Sequence, residues 1–541
     1  MNIPILTWFL RRKRRKCIRQ MMRGYRNLKS SNQLGKITSV KEALTNTKLT
    51  QCDKRSSKLI FGVGLPDSEI IIRQYLLLQL AGLNINRAML YALGKPDCIV
   101  LHPMPPEWRN VLRTHGFKVP ETLTRFLWYL YIVLFLFNGI RSFVTQNLRN
   151  IKAIIILPKD QKMGKYAYFN GLIAGSLPQY DIGGSSHDIT SWYYHWSSRA
   201  KDLDAMCHSV EGVTRTHVAS TPVVSIPHAV PSLSKIKSFF NYFIWSIAAT
   251  IKAIFSLFLN HWWNILLLKE ASLAAVVRMQ QPSKLARDYL FNNADYIYRP
   301  LWTYEAEKLG SQITFYFYST NCEAFKRVNG YPKITYGWQI MNWPHYLVWD
   351  NYQSDFIRRA VGEQATISIV GPIWFQSSAC EMPKLEKSSV AVFDVTPHRV
   401  SRYCTLGADS EFYVPSVSEK FLEDIVNALQ YFGMAMLWKR KRNIGALAHP
   451  HYRNFLDGLS ERDDVTLIDP GISALRVIES SCAVISMPFT STAIIAREIG
   501  KPSVYYDPTG LIDRNDVAAQ GIQVLIGIDE LREWCKDLES K

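Results

Sequence analysis

Three hydroxyl residues stand in a row at Thr490, Ser491 and Thr492, just after an apolar run that closes at Ser486 and just before a helical stretch over 492–499. The first turn of a helix carries backbone N–H groups with no intrahelical partner, and its dipole adds positive charge there. Such a turn attracts phosphate-like anions. One helix needs one capping side chain, and here three hydroxyls are offered, so an anion site at Ser486, Thr490, Ser491 and Thr492 competes with plain capping. Upstream lie the basic run Lys439-Arg440-Lys441-Arg442 and then His449-Pro450. An imidazole where a strand gives way to a loop can meet a phosphate or a base. The alternative is an exposed loop histidine.

A second set of residues suits proton transfer. Asp188 follows Gly183-Gly184-Ser185-Ser186-His187 and precedes Trp192-Tyr193-Tyr194-His195-Trp196. A short carboxylate behind a flexible loop, with aromatic rings beside it, can act as a base or a nucleophile on a polar substrate. It can equally cap the helix that follows. Glu305 and Glu307 are the next carboxylate candidates, with a solvated helix face as the alternative. Asp202-Leu203-Asp204 matches a short metal-binding pattern, but it sits in a polar helical stretch with no strand before it, and no metal site is expected. Phe61-Gly62-Val63-Gly64-Leu65-Pro66-Asp67 lacks the third glycine of a dinucleotide fingerprint and reads as a turn.

These residues need a scaffold. Between 389 and 506 the chain alternates apolar runs with helical ones: strands over 389–394, 435–439, 465–468, 483–486 and 502–506, helices over 421–432, 472–479 and 492–499. That rhythm predicts a parallel sheet wrapped by helices, whose ligands sit beyond the carboxyl ends of the strands. The N-terminal half shows the same signature more faintly: strands over 58–66, 98–102 and 151–157, helices over 67–81 and from 107. Two apolar stretches interrupt it. The run 126–140, bounded by Arg125 and Arg141, falls short of the about 20 residues a membrane span needs. The run 239–268 is long enough, but it contains Lys252, His261 and several Trp, and Lys235, Lys237, Lys269 and Arg278 flank it. That pattern favours an interfacial helix over a span or a buried one.

Composition narrows the partners. Lys and Arg number 64 against 45 Asp and Glu, a formal net charge of +19, which draws anionic lipid and phosphorylated ligands. No nucleic-acid-binding signature accompanies the charge. Nine scattered cysteines without a CxxC pair indicate neither a disulfide framework nor a zinc site, and they suit a reducing compartment. Residues 1–55 read as a basic tail and linker. The run Arg11–Lys16 follows the apolar Ile3–Leu10 instead of preceding it, the reverse of a secretory signal, and could anchor to a lipid surface.

The His449-Pro450 pair, followed by Ser486 and the hydroxyls at 490–492, resembles the paired motifs of bacterial sialyltransferases and the related transferases of ulosonic acids such as Kdo, in which they bind the CMP of a CMP-sugar donor. The segments His187–Trp192, Tyr298–Glu305, Val370–Phe375 and Phe393–Pro397 are similar to polysaccharide-biosynthesis proteins. The acidic N-terminal motif of the sialyltransferases has no counterpart. The resemblance implies an α/β fold of two Rossmann-like domains facing a cleft (GT-B-like), with inserted apolar helices near 125–141 and 237–269. An acceptor domain over 56–380 would face a nucleotide-sugar domain over 381–541. It also implies a nucleotide-sugar-dependent glycosyltransferase with no cofactor, a lipid-linked or glycan acceptor, and a place on the inner face of the cytoplasmic membrane. A capsule phosphotransferase using a CDP-linked polyol and a non-enzymatic scaffold of a polysaccharide assembly complex are the alternatives.

Overall fold

The computed structural model describes residues 4–33, 35–47, 59, 68–81, 84–156, 164–177, 189–212, 216–293, 298–319, 326, 330, 331, 333, 334, 336–373, 381–384, 388–397, 414–440, 448–469 and 471–540. Fourteen strands among them form two sheets. The first holds β1 (Tyr166–Phe169), β2 (Ala205–His208), β3 (Thr216–Val218), β4 (Thr221–Ser225), β5 (Asp288–Asn292), β6 (Gln312–Tyr316), β7 (Tyr346–Val348) and β8 (Ile367–Ile369). Their order is β3-β4-β2-β1-β5-β6-β7-β8, and every pairing is parallel except the β3–β4 hairpin. The second holds β9 (Ser389–Asp394), β10 (Ala435–Arg440), β11 (Val465–Leu467), β12 (Ala483–Ser486), β13 (Ser503–Asp507) and β14 (Gln523–Ile526) in the order β11-β10-β9-β12-β13-β14, all parallel. In each sheet the chain winds to one side of its first strand and then returns to wind on the other side. This is the doubly wound Rossmann topology, and the second sheet has its six-strand order.

Strand composition explains the burial. Every residue of β5 and of β9 is buried, as expected of parallel strands covered on both faces. Alternate side chains of the second sheet serve different cores. Val390, Val392, Met436, Trp438 and Ile485 pack with Phe421 and Leu531, whereas Ala391, Phe393, Leu437 and Val484 pack with Val477, Ile478 and Ala496. The helices Pro415–Tyr431 and Gly527–Glu539 therefore lie on one face, and Ala474–Glu479 lies on the other.

The N-terminal third departs from the sequence reading. Residues 1–55, expected to be tail and linker, contain the helices Pro4–Ser30 and Gly35–Asn46, with Met21, Leu28, Val40 and Leu44 in the main core. The positive charge masked a helical period. Residues 151–156, expected to be strand, end the helix Glu121–Ile156. A β-branched run adopts helix where it extends a long helical segment already packed on its neighbours. The run 98–102 makes a single bridge, Ile99 with Lys118, instead of a strand. Most of the 58–66 strand and the 61–67 glycine turn lie outside the described residues.

Both apolar stretches are helical, in a different layout from the one expected. The run 126–140 is the middle of the 36-residue helix Glu121–Ile156, so the isolated length misled. The run 239–268 breaks into Ile236–Phe258 and Trp262–Arg278. At the break Asn260 takes φ 55°, and the Asn260 and His261 amides bond back to the Leu257 and Ser256 carbonyls, a Schellman termination. Trp262–Arg278 is the central member: 13 of its 17 residues are buried. The two long helices cover one side of it, and Ser68–Ala81 and Trp302–Lys308 also pack on it. Gly139 permits the closest approach, since a Cβ there would lie 2.6 Å from Leu268 Cδ2. Gly139→Val should overpack this contact and destabilise the chain by about 1–3 kcal/mol, read as a lower thermal midpoint. An unchanged midpoint would mean the helices separate freely at this point.

Candidate functional site

The strand order leaves a crevice where the winding reverses, between the carboxyl ends of β9 and β12. Ser486, the last residue of β12, pairs in register with Phe393, and Asp394 ends β9. The Met487 amide donates to the Phe393 carbonyl at 2.8 Å, so the loop leaving β12 begins bound to β9. That loop leads into the helix Ser491–Glu498. Ser486 and Thr490 are buried, and Ser491 and Thr492 are partly exposed.

Three of the four hydroxyls expected here lie together, while the Ser491 hydroxyl faces Ser319. Ser486 Oγ lies 2.8 Å from Thr492 Oγ1, and Thr490 Oγ1 lies 3.1 Å from it. Thr490 is the N-cap, yet its side chain makes no capping bond; its hydroxyl donates to the Met487 carbonyl at 3.0 Å. Tyr505 on β13 fixes the loop from below by donating to the Thr490 carbonyl at 2.7 Å. The hydroxyls thus form a cluster braced by the loop, and capping does not account for them.

His449 and Pro450 reach the same strand exit. The His449 amide donates to the Pro397 carbonyl at 2.9 Å, three residues beyond the end of β9. His449 caps the helix Pro450–Ser460, its Nδ1 accepting from the His451 amide at 3.3 Å, with Pro450 in the first helical turn. An Nδ1 that accepts a hydrogen bond puts the ring proton of a neutral imidazole on Nε2. Two helix N-termini, at 450 and at 491, therefore flank the exit of β9.

Sequence reasoning overlooked the residue between them. Asp394 is 1% exposed, and Tyr452 of the Pro450–Ser460 helix donates to its Oδ2. Oδ1 has no hydrogen-bond partner among the described residues. Burial pushes the carboxyl up to about 6, opposed by the Tyr452 hydroxyl and by the Arg440 guanidinium at the end of β10. The available signal was an acidic residue closing the apolar run Val390-Ala391-Val392-Phe393.

The carboxylate candidates of the N-terminal half fare differently. Asp188 lies outside the described residues. Glu305 is buried on the Trp302–Lys308 helix, where its Oε1 accepts from Arg278 Nε at 3.1 Å and Nη2 at 2.8 Å. Burial raises its carboxyl, while Arg278 and Lys308 lower it. It is a clamp between two helices and is not part of the hydroxyl cluster. Glu307 pairs with Arg299. Asp204 Oδ2 accepts the Lys165 amide at 2.7 Å, so the Asp202–Asp204 pattern serves the entry to β1 and β2. A pocket of about 330 Å³ lined by Glu307, Gln312 and His345 opens at the amino ends of β6 and β7, the edge opposite to the one where doubly wound sheets bind ligands.

The two sheets' units touch at the carboxyl ends of their strands. Ser319, beyond the end of β6, lies 3.3 Å from Ser491 through their hydroxyls. Lys326 pairs with Asp513 at 2.6 Å, Tyr331 donates to Asp516 at 3.0 Å, and Arg497 lies 3.6 Å from Asp350.

Residues 245–535 match the family model described as polysaccharide biosynthesis PFTS motif protein. The chain belongs to this family. The four letters of the motif occur in order as Pro488-Phe489-Thr490-Ser491, in the loop of the hydroxyl cluster. No curated protein matches the chain. Among solved structures it is similar to a wall teichoic acid polymerase, TagF, at 10% identity and a TM-score of 0.38, over 76% of this chain and 88% of that one. It is also similar to the lipopolysaccharide outer core galactosyltransferase WaaB at 12% and 0.34, over 70% and 90%. A third is the sucrose-phosphate synthase of Thermosynechococcus elongatus at 11% and 0.35, over 70% and 90%. Likeness at this level assigns no residue a role.

The folded chain binds the Asp394 proton more tightly than an unfolded chain would, with a carboxyl at about 6 against an ordinary value of 3.8. Its contribution to stability is therefore full below about pH 4 and is lost as the pH rises to about 6. Asp394→Asn removes that titration. The fall in unfolding midpoint between pH 4 and pH 7 should be smaller in the variant than in the parent, and an equal fall in both would place the titration elsewhere.

Proposed function

We propose that this chain is a glycosyltransferase of surface-polysaccharide assembly that holds a nucleotide-activated donor at the carboxyl ends of β9 and β12. The carrying observation is that the motif of its family, residues 488–491, forms the loop between β12 and a helix N-terminus at the reversal of the sheet. A nucleotide phosphate there meets helix N–H donors and hydroxyls. In the transfer, the bond from the sugar's anomeric carbon to the donor phosphate breaks and a bond to an acceptor hydroxyl oxygen forms. The acceptor proton passes to a carboxylate, and the leaving nucleotide takes the bonding electrons as added negative charge. The helix end, Thr492 and His449 Nε2–H stabilise that charge. The second domain, over 381–541, binds the donor, and the first, over 56–380, binds a lipid-linked or glycan acceptor. The reaction belongs on the cytoplasmic side, where nucleotide-activated donors are made.

The pairing of His449-Pro450 with Ser486 and Thr490–Thr492 favours a CMP-linked donor such as an ulosonic acid. A CDP-linked polyol is the second reading, since the same loop would take its diphosphate. The scaffold reading leaves the hydroxyl cluster without a task. Thermal unfolding of the purified chain with CMP, CDP, UDP and GDP separates the three. A nucleotide at 100 times its Kd adds about 2.7 kcal/mol of stability. The shift is expected with a cytidine nucleotide, and Ser491→Ala with Thr492→Ala should shrink it and raise the donor KM while the chain stays folded, each shift being read against the variant's own unliganded midpoint. No shift with any nucleotide would support the scaffold.

Asp188 is the proposed catalytic carboxylate. Glu305 is held in an ion pair with Arg278 between two helices, apart from the hydroxyl cluster. Asp188→Asn keeps a capping oxygen, so it should unfold near the parent temperature and bind nucleotide normally, yet lose on the order of 10²-fold or more in turnover. Near-parental turnover would reduce Asp188 to a helix cap.

A further inference from the structure

The two long helices outside the sheets leave one side uncovered. Glu121–Ile156 and Ile236–Phe258 pack against each other, with Phe143 edge-on to Trp245 and Asn147 Nδ2 3.4 Å from Ser246 Oγ. Both also rest on Trp262–Arg278, through Trp128 with Trp262 and through Tyr242 with Ser272 at 2.7 Å. Their far sides carry large apolar residues at helical spacing. Phe126, Phe137 and Ile155 are exposed on the first helix, and Ile244, Phe255 and Phe258 on the second. Phe258 is 79% exposed and Ile155 75%. Two helices about 10 Å apart, sharing about 34 Å of length, present a face of roughly 700 Å². The largest apolar patch on an ordinary monomer is about 300–600 Å².

Charge identifies what covers this face. The two helices carry Arg125, Arg141, Arg149, Lys152, Lys237 and Lys252, and Glu121, at one end, is their single acidic residue. Glu121 is already paired with Arg109 and Arg113. An apolar stripe edged by cations fits acyl chains below and anionic headgroups around. We propose that these two helices lie in the surface of an anionic lipid bilayer and dock the enzyme there.

Each helix is long and apolar enough to cross a membrane by itself. Packing argues for the in-plane arrangement. Trp262–Arg278 carries Lys269 and Glu270 and is covered on another side by Trp302–Lys308 with its Glu305–Arg278 pair. Turning the pair across the bilayer would draw these ionic groups toward hydrocarbon, at a cost of several kcal/mol each. Lying flat, the pair buries only the face that has no protein neighbour. This inference stands apart from the donor assignment, because none of its residues belongs to the hydroxyl cluster.

The test is sedimentation of the full chain with phosphatidylcholine vesicles prepared with and without phosphatidylglycerol. Binding is expected to be stronger to the anionic vesicles. The variant Phe137→Ser/Ile244→Ser/Phe255→Ser/Phe258→Ser changes exposed residues only and should bind about tenfold or more weakly, with circular dichroism and thermal midpoint unchanged. Bound protein should exchange onto a second vesicle population. Parental binding by the variant would overturn the assignment of this face. A chain that ignores vesicles and instead forms a dimer broken by the same variant would show that a second copy covers it. Bound chain that never exchanges would overturn the in-plane placement in favour of a span.

Discussion

Everything that makes a site in this molecule depends on β9 and β12 being neighbours in space while their onward connections run to different sides of the sheet. The chain leaving β9 reaches the helix Pro415–Tyr431, which packs with Val390 and Val392. The chain leaving β12 turns at once into Ser491–Glu498, whose Ala496 packs with Ala391 and Val484. No crossover can fill the gap between such strands, so loops line it, and loops present backbone donors and polar side chains. The ladder from Ala483–Val390 to Ser486–Phe393 holds the gap's two walls in register. The Met487 amide then ties one loop to Phe393 near the end of β9, and the His449 amide ties the other to Pro397 just beyond it.

Much of this was legible in advance, and the reason is local. The C-terminal strands are short and bounded by turn residues, and β9 and β12 are buried throughout, so apolar runs mark their limits. β12 was expected over 483–486 and is found at Ala483–Ser486, and the following helix begins at Ser491 where 492 was expected. The hydroxyl cluster was legible because three such residues in a row exceed the needs of one cap. Asp394 was not, since its role comes from Tyr452, a partner distant in sequence on a helix the apolar pattern did not mark.

The N-terminal third resisted reading because its signals come from neighbours. Residues 4–46 look like a charged tail until Ile85–Leu93 supplies a surface for Met21 and Leu28. Gly24 lets the chains approach so closely that an added Cβ would meet the Leu90 carbonyl. The Ile154-Ile155-Ile156 run has strand propensity but continues a helix anchored from Trp128 onward. In the same way, the apolar run 239–268 carries no mark of its break other than the polar pair Asn260 and His261.

The polar contacts across the seam between the two sheets' units, among the described residues, include groups that water can serve equally well: hydroxyls, a lysine–aspartate pair, a tyrosine on an aspartate, and an arginine facing an aspartate. Each of these bonds, if lost, is worth only about 0.5–1.5 kcal/mol net. Ser491 belongs to both this seam and the loop after β12. A hydroxyl has one proton to give, so an anion that accepts it forces Ser319 to become the donor or to let go. Loading the loop and closing the seam are therefore linked, and whatever shifts one must shift the other by the same free energy.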